Sequence, residues 1–387
     1  MSDRPDDYQT AARGHGQDNV AEFHEDRSLV RRIQHLLHST PSLVPLLVLV
    51  FSTIGFGIYL QLHGRAFLSA STLTLILQQV QIVGIVATAQ TLVILTAGID
   101  LSVGAIMVLC SVVMGKLAVN HGMPTPLAIL AGFLVGGAIG YVNGWLVARV
   151  KLPPFIVTLG TWQVFLAANF LYSRNETIRS QEVREVAPML QWLGLKPNEQ
   201  FVRWAEQVQG ITYEGRRPAD TGHRVLDLIW SANITYGVVV MVVLVFVLAW
   251  ILHNTAWGRH VYAVGDDPEA AQLSGVNVRG VLISVYVLAG LICALAGWAL
   301  IGRIGSISPT SGYEANIQSI TAVVIGGISL FGGRGSIMGV FFGGLIVGVF
   351  ELGLRMAGAD AQWTFLLIGA LIIGAVALDQ WIRKAAA

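Results

Sequence analysis

The sequence predicts an all-α polytopic membrane protein of about ten transmembrane helices, with both termini cytoplasmic. Of 387 residues, 54% are hydrophobic and only 12% charged, about half the charged share of an ordinary soluble domain. The apolar residues gather into runs close to the ~20 residues that cross a hydrocarbon core. Lys and Arg divide unevenly among the connecting segments, which orients the runs.

Ten runs are candidate spans, at 42–61, 72–97, 103–119, 125–148, 155–173, 234–252, 281–302, 315–331, 336–354 and 362–382. The third, eighth and ninth are short or glycine-rich. They are candidates for half-helices or re-entrant pieces, which backbone chemistry tolerates only where protein or a cavity covers them. The second would be about 39 Å long as a straight helix. That exceeds a core of about 30 Å, so it must tilt, break or protrude.

With the N-terminus inside, the inner side receives twelve Lys and Arg, among them Arg31, Arg32, Arg149, Lys151, Arg259, Arg279, Arg334 and Arg383. The short outer loops receive four: Arg65, Lys116, Arg303 and Arg355. The organisation that follows is a cytoplasmic tail over 1–41, a membrane domain over 42–382 and a cytoplasmic end over 383–387. The membrane domain carries a periplasmic insert at 174–233 and a cytoplasmic loop at 253–280. The tail is polar and mixed in charge, unlike a signal peptide. The insert holds Trp192, Trp204 and Trp230 among its charges and is expected to form a small, partly ordered lid.

Several chemistries find no support. Net charge is +1, which suggests no nucleic-acid partner. Cys110 and Cys293 both lie in apolar runs and read as small core residues. No Gly-x-x-x-x-Gly-Lys-Ser/Thr segment is present to cradle ATP. His35 and His38 lack further ligands for a metal, and no Gly-x-Ser-x-Gly elbow appears. The chain is therefore expected to be no enzyme and to bind no cofactor or metal itself.

A faint internal echo links Gly98-Ile99-Asp100-Leu101-Ser102 to Gly327-Ile328-Ser329-Leu330-Phe331. Transporters often carry such repeats around interrupted helices, although glycine-rich membrane sequence also repeats by chance.

The loop between the sixth and seventh spans is the most informative segment. It runs from Trp257 and Arg259 through Gly265-Asp266-Asp267-Pro268-Glu269-Ala270-Ala271 to Gly275. Pro268 sits where a helix would begin, and Glu269 lies in its first turn, near the positive helix end. Ala270 and Ala271 allow another surface to approach, and Gly275 suits a C-terminal cap. A short exposed helix results, and it either docks a partner or merely lies at the bilayer surface. The Glu-Ala-Ala-x-x-x-Gly pattern resembles that of binding-protein-dependent ABC permeases, whose loop helix docks in a cleft of the ATPase. On that resemblance Arg259, Gly265, Asp266, Glu269, Ala270, Ala271 and Gly275 are the candidate coupling residues.

Four stretches extend the likeness over residues 42–382. They are Leu95–Gly104, Asn143-Gly144-Trp145 through Lys151–Thr161, the coupling loop, and Val323–Gly333. The chain resembles the monosaccharide permeases of ribose, xylose and fructose ABC importers, the fructose type most of all. Asn316-Ile317-Gln318 stands where many of these permeases carry Glu-x-Asp, Ile328 replaces a frequent Thr, and the 174–233 insert is long, all of which count against ribose. The resemblance implies an inner-membrane homodimer among lipid. It also implies a separate ATPase with two nucleotide domains, which binds ATP and Mg, and a periplasmic sugar-binding protein.

A path for a sugar needs donors and acceptors without strong fixed charge. Gln78, Gln79, Gln90, Asn143, Thr158, Thr161, Asn316 and Gln318 are the candidates. Such side chains also commonly bond neighbouring helices. Asp100 is a candidate either to cap the following helix through Ser102 or to gate. The rival class, a proton-coupled secondary sugar transporter acting alone, would need buried acids, His or Lys near the midplane.

Overall fold

A computed structural model of the chain describes residues 42–211, 218, 220–232, 234–360, 362–363, 365–371, 373–374 and 377. The expected tail at 1–41 and end at 383–387 lie outside them, as does much of the tenth candidate span.

Among the described residues these α-helices follow one another: α1 Leu43–Leu62, α2 Ala70–Leu95, α3 Val103–Gly115, α4 Thr125–Ala148, α5 Pro154–Ser173, α6 Ser180–Val186, α7 Pro197–Val208, α8 Arg224–Ser231, α9 Tyr236–Asn254, α10 Ala256–Asp266, α11 Pro268–Leu273, α12 Val278–Ile304, α13 Ala315–Ile325 and α14 Ile337–Ala357. A π-helical turn, Lys116–Asn120, extends α3, and a 3-10 helix, Pro188–Gly194, separates α6 from α7. Their starts follow local chemistry. Ser69 and Thr235 accept from the amides of Thr72 and Val238; α5 begins on Pro154 and α4 has Pro126 as its second residue, where the missing N–H would be unpaired anyway.

Eight helices are long and apolar enough to cross a membrane among the described residues. The eighth candidate, 315–331, contains only the 11-residue α13, about 16 Å long and half of a hydrocarbon core. It stops because Gly327 turns left-handed, at φ +79°. The long second candidate runs unbroken as the 26-residue α2.

The core forms where α12 lies along α4, α2 and α3. Gly136, Gly140 and Gly144 line the α4 face of this contact, and a methyl group at Gly136 would strike the Gly290 carbonyl of α12. Small residues four apart bring two backbones close enough for extensive dispersion contact. Tyr286, Met107, Leu92 and Ile94 are buried there. Cys110 and Cys293 are both buried and free, as their apolar context predicts. Outward faces of α1, α4 and α5 expose Phe51, Leu134, Ile156 and Leu171.

The insert is more ordered than a loose lid. Ile178 and Ile307 exchange backbone hydrogen bonds, each of 3.0 Å. Leu190 and Leu193 are buried, and Gly194 packs backbone to backbone on Gly302 of α12. Trp192 stacks on Tyr236 with ring centroids 4.5 Å apart. Lys116, expected in an exposed loop, is instead buried in the π-turn and paired with Glu176 at 2.9 Å. That hydrogen bond, then the charge of Lys116, lowers the Glu176 pKa from its ordinary value of 4.5. A depressed carboxylate contributes stability above its unfolded pKa and loses it as pH falls through the folded one. Glu176→Gln is therefore expected to lower the unfolding temperature at neutral pH, with the difference from wild type shrinking as pH falls below the ordinary carboxylate value and through the lowered one. Thermal unfolding followed from neutral pH into acid checks this.

The internal echo has a structural counterpart. Gly98 N–H bonds the Val93 carbonyl at 3.1 Å, and Ile328 N–H bonds that of Val323 at 3.2 Å. Asp100 then accepts from the Ser102 amide, and Ser329 Oγ from the Phe331 amide. At the helix ends the equivalent left-handed residues are Ala97 and Gly327, one place off the register that the letters suggest. Each helix, α2 and α13, thus ends in the same turn before the chain reverses.

Candidate functional site

Two constellations and a junction between them make up the site. The first is the coupling loop. Thr255 caps α10 by accepting from the Gly258 amide at 3.1 Å. Trp257 Nε1 donates to Ser284 Oγ on α12 at 2.8 Å, and the Tyr262 hydroxyl donates to the Gly335 carbonyl at 3.0 Å. The short α11 starts at Pro268, as predicted. Its N-cap is Asp267, whose Oδ1 accepts from the amides of Glu269 (2.9 Å) and Ala270 (3.0 Å). Asp267 was absent from the sequence candidates. Its signal was the order Asp-Pro-Glu, an acceptor directly before a proline at the first helical position.

Gly275 ends the segment in a left-handed turn, φ +86°, and Asn277 then caps α12 by accepting from the Gly280 amide. Glu269, Ala270 and Gln272 face outward, beside a Leu273 that is 91% exposed. Arg259 and Asp266 are exposed, whereas Ala271 and Gly265 are buried. The loop therefore presents a small, apolar-centred face on a base pinned at both ends.

The second constellation surrounds residues 96–102, which link α2 to α3. Its backbone polar groups sit inside the bundle, where each one needs a partner. Gln90 of α2 supplies two. With its amide oriented as the hydrogen bonding requires, its nitrogen donates to the Asp100 carbonyl at 3.0 Å and its oxygen accepts from the Asp100 amide at 3.2 Å. Thr158 of α5 donates to the Ile99 carbonyl at 3.0 Å, and Asn316 of α13 donates to the Leu101 carbonyl at 2.7 Å. Asn143 of α4 donates to Ser102 Oγ at 3.0 Å. Asp100 Oδ1 accepts from Ser102 N at 2.7 Å and from Ser102 Oγ at 2.6 Å, a local turn just before α3, whose first amides receive no side-chain cap. Four of the candidate pathway residues thus converge on one linker from four different helices.

The others stand apart. Gln79 offers its main-chain carbonyl to Arg303 Nη1 at 2.9 Å. Thr161 Oγ1 is 3.4 Å from the Thr158 carbonyl. Gln78 and Gln318 are partly exposed on α2 and α13. Gln81, in the same glutamine cluster of α2, accepts at Oε1 from Thr235 Oγ1 at 2.7 Å, tying α2 to the head of α9. Among the described residues no three His, Cys, Asp or Glu side chains gather as a metal site would require.

Backbone joins the two constellations. Gly333 N–H donates to the Leu95 carbonyl, the last of α2, at 3.0 Å. Gly265 of α10 lies against that bond: a methyl group there would strike the Leu95 oxygen and come within 2.7 Å of Gly333 N. Helix α10, the 326–336 linker and the C-terminal end of α2 therefore meet main chain to main chain.

The sequence profile of a permease family matches residues 72–376 of the chain. The chain belongs to the family described as "Branched-chain amino acid transport system / permease component". Among curated proteins the permease is 62% identical over 370 residues to the fructose import permease protein FrcC of Rhizobium meliloti, covering 95% of this chain and 94% of that one. It is 36% identical to the ribose import permease protein RbsC of Bacillus subtilis, over 81% of this chain and 86% of the relative. It is 35% identical to the xylose transport system permease protein XylH of Escherichia coli, over 82% and 87%. No solved structure gives a significant match. The family description speaks of amino acids, yet these three relatives are named for sugars. Identity over nearly the full length weighs more here than a profile shared by a broad family. The permease is thus a multi-pass membrane protein similar to sugar ABC importer permeases, the resemblance that its four sequence stretches predicted.

Proposed function

We propose that this permease carries fructose, or a closely related monosaccharide, inward across the bacterial inner membrane as the non-catalytic subunit of an ABC importer. The similarity to the fructose permease over 95% of the chain carries this reading. A separate ATPase binds Mg and ATP and hydrolyses the nucleotide, a periplasmic binding protein delivers the sugar, and two copies of the permease form the path. The exposed face of α11, centred on Glu269, Ala270 and Leu273, is the ATPase contact. Arg259 and Asp266 flank it, Ala271 and Gly275 hold its shape, and Gly265 passes its movement to α2. Asp100 and its partners Gln90, Asn143, Thr158 and Asn316 set the shape of the 96–102 linker, on which the path would close. Gln78, Gln79, Thr161 and Gln318 are left to meet sugar hydroxyls.

Reconstitution tests both halves. The permease with its ATPase and binding protein in proteoliposomes is expected to accumulate radiolabelled fructose only with ATP inside. Uptake without ATP would overturn the reading in favour of a secondary transporter. Glu269→Lys is expected to abolish sugar-stimulated ATP hydrolysis while leaving membrane insertion intact, because it reverses charge on the docking face. Normal uptake in that variant would remove α11 from the coupling role.

A further inference from the structure

The two longer helices of the insert carry apolar side chains that no described residue covers. On α7, Phe201, Trp204 and Val208 are 50, 60 and 69% exposed. At 100° per residue they fall within about 60° of one another, as a single stripe. The other side of α7, bearing Asn198, Val202 and Glu206, is buried. Asn198 Nδ2 fixes it to α8 by donating to the carbonyls of Ile229 (2.9 Å) and Ala232 (2.8 Å). To the stripe α8 adds Val225 and Leu228, 70 and 57% exposed.

The span α9 decides where this pair sits. Its first residue, Tyr236, donates its hydroxyl to Gln200 Oε1 of α7 at 3.1 Å. On α9, Tyr236 heads a row with Val239, Val243, Val247 and Trp250, which fall within about 60° of it and are 41–62% exposed. That row is the apolar, outward surface of a membrane span. Gln200 lies about 40° from Trp204 around α7, so the uncovered stripe begins beside the point where α7 meets the head of the row. The bilayer-facing surface of α9 thus continues directly onto α7.

The composition suits that place. Arg203 sits over the Trp230 ring at 5.5 Å, and Glu199, Gln200 and Gln207 make up the polar side of α7. Amphipathic helices with an aromatic apolar side lie in the boundary between headgroups and acyl chains, and Trp prefers that boundary.

We infer that α7 and α8 form an interfacial helix pair, its stripe of Phe201, Trp204, Val208, Val225 and Leu228 seated in the lipid surface where α9 enters the membrane. The insert is then held at three points: on α12 through Gly194, on α9 through Gln200, and on lipid through the stripe.

Spin labelling of the full-length permease tests this in bilayers of phosphatidylethanolamine and phosphatidylglycerol. Single cysteines replace Phe201, Trp204, Val208 and Val225 in a Cys110→Ala/Cys293→Ala background, with Val243→Cys as the lipid-facing reference and Gln207→Cys as the polar one. Collision with oxygen is expected to exceed collision with a water-soluble nickel chelate several-fold at the stripe positions and at Val243→Cys, and to reverse at Gln207→Cys. Nickel-dominated collision along the stripe would overturn the inference. So would protection from both reagents, which would mean that a second copy or another protein covers it. A measurement without labels guards against disturbance by the background. Lipids brominated near the headgroup are expected to quench less of the tryptophan emission in Trp204→Phe than in wild type, and equal quenching would count against lipid contact.

Discussion

A Gly265→Ala permease is expected to insert and to bind its ATPase, yet to import sugar at least about tenfold more slowly than wild type. Local propensity argues the other way, since Ala in a helix interior is more stable than Gly by about 0.5–1 kcal/mol. Contact decides the sign. The added methyl would meet the Leu95 carbonyl oxygen and the Gly333 amide nitrogen. These are main-chain atoms of a 3.0 Å hydrogen bond, with no rotamer into which to retreat. Overpacking of this kind costs about 1–3 kcal/mol, and it falls where the coupling loop touches α2. A junction altered by about 1.4 kcal/mol corresponds to a tenfold change if that junction carries the movement. Gly160→Ala on α5 is the control, because a methyl group there meets nothing within 4 Å. Uptake and ATP hydrolysis measured in the same proteoliposomes separate the outcomes. Unimpaired uptake in Gly265→Ala would show that the junction does not transmit.

The second large effect is expected at Gln90. Gln90→Leu keeps the volume roughly constant but removes both partners of the Asp100 main chain. Each buried group left without a hydrogen bond costs about 1–3 kcal/mol, so the variant is expected to be about 2–6 kcal/mol less stable. A fall in unfolding temperature of the purified permease, with and without sugar, is the measurement. A residue whose role is to touch substrate would behave differently: its loss would leave stability near wild type and raise the half-saturating sugar concentration. Wild-type unfolding with a raised half-saturation would move Gln90 from the scaffold into the path.

How much could be read beforehand depends on how local each feature is. The spans rest on composition summed over ~20 residues, and eight of the described helices reach that length and apolarity. Which glycine-rich candidate is a half-helix turned on one backbone angle. Gly326-Gly327 looks like ordinary membrane glycine in a row of letters, but the left-handed Gly327 ends α13 halfway across. The coupling loop was legible nearly residue by residue, because capping, helix start and helix stop depend on neighbours within four positions. The insert was not: Trp192, Gly194 and Ile178 owe their order to α12, α9 and Ile307, all distant in sequence.

The sequence by itself determined the class of molecule, the approximate spans, the shape of the α11 turn and the permease family, since each of these depends on composition or short-range pattern. Only the tertiary structure decided where the polar membrane residues go. Gln90, Asn143, Thr158 and Asn316 have the chemistry to line a sugar path and equally the chemistry to satisfy buried backbone. Which they do depends on what stands within 3 Å of each amide or hydroxyl. They come from four helices that meet only in the folded bundle, around the backbone and Ser102 hydroxyl of one linker.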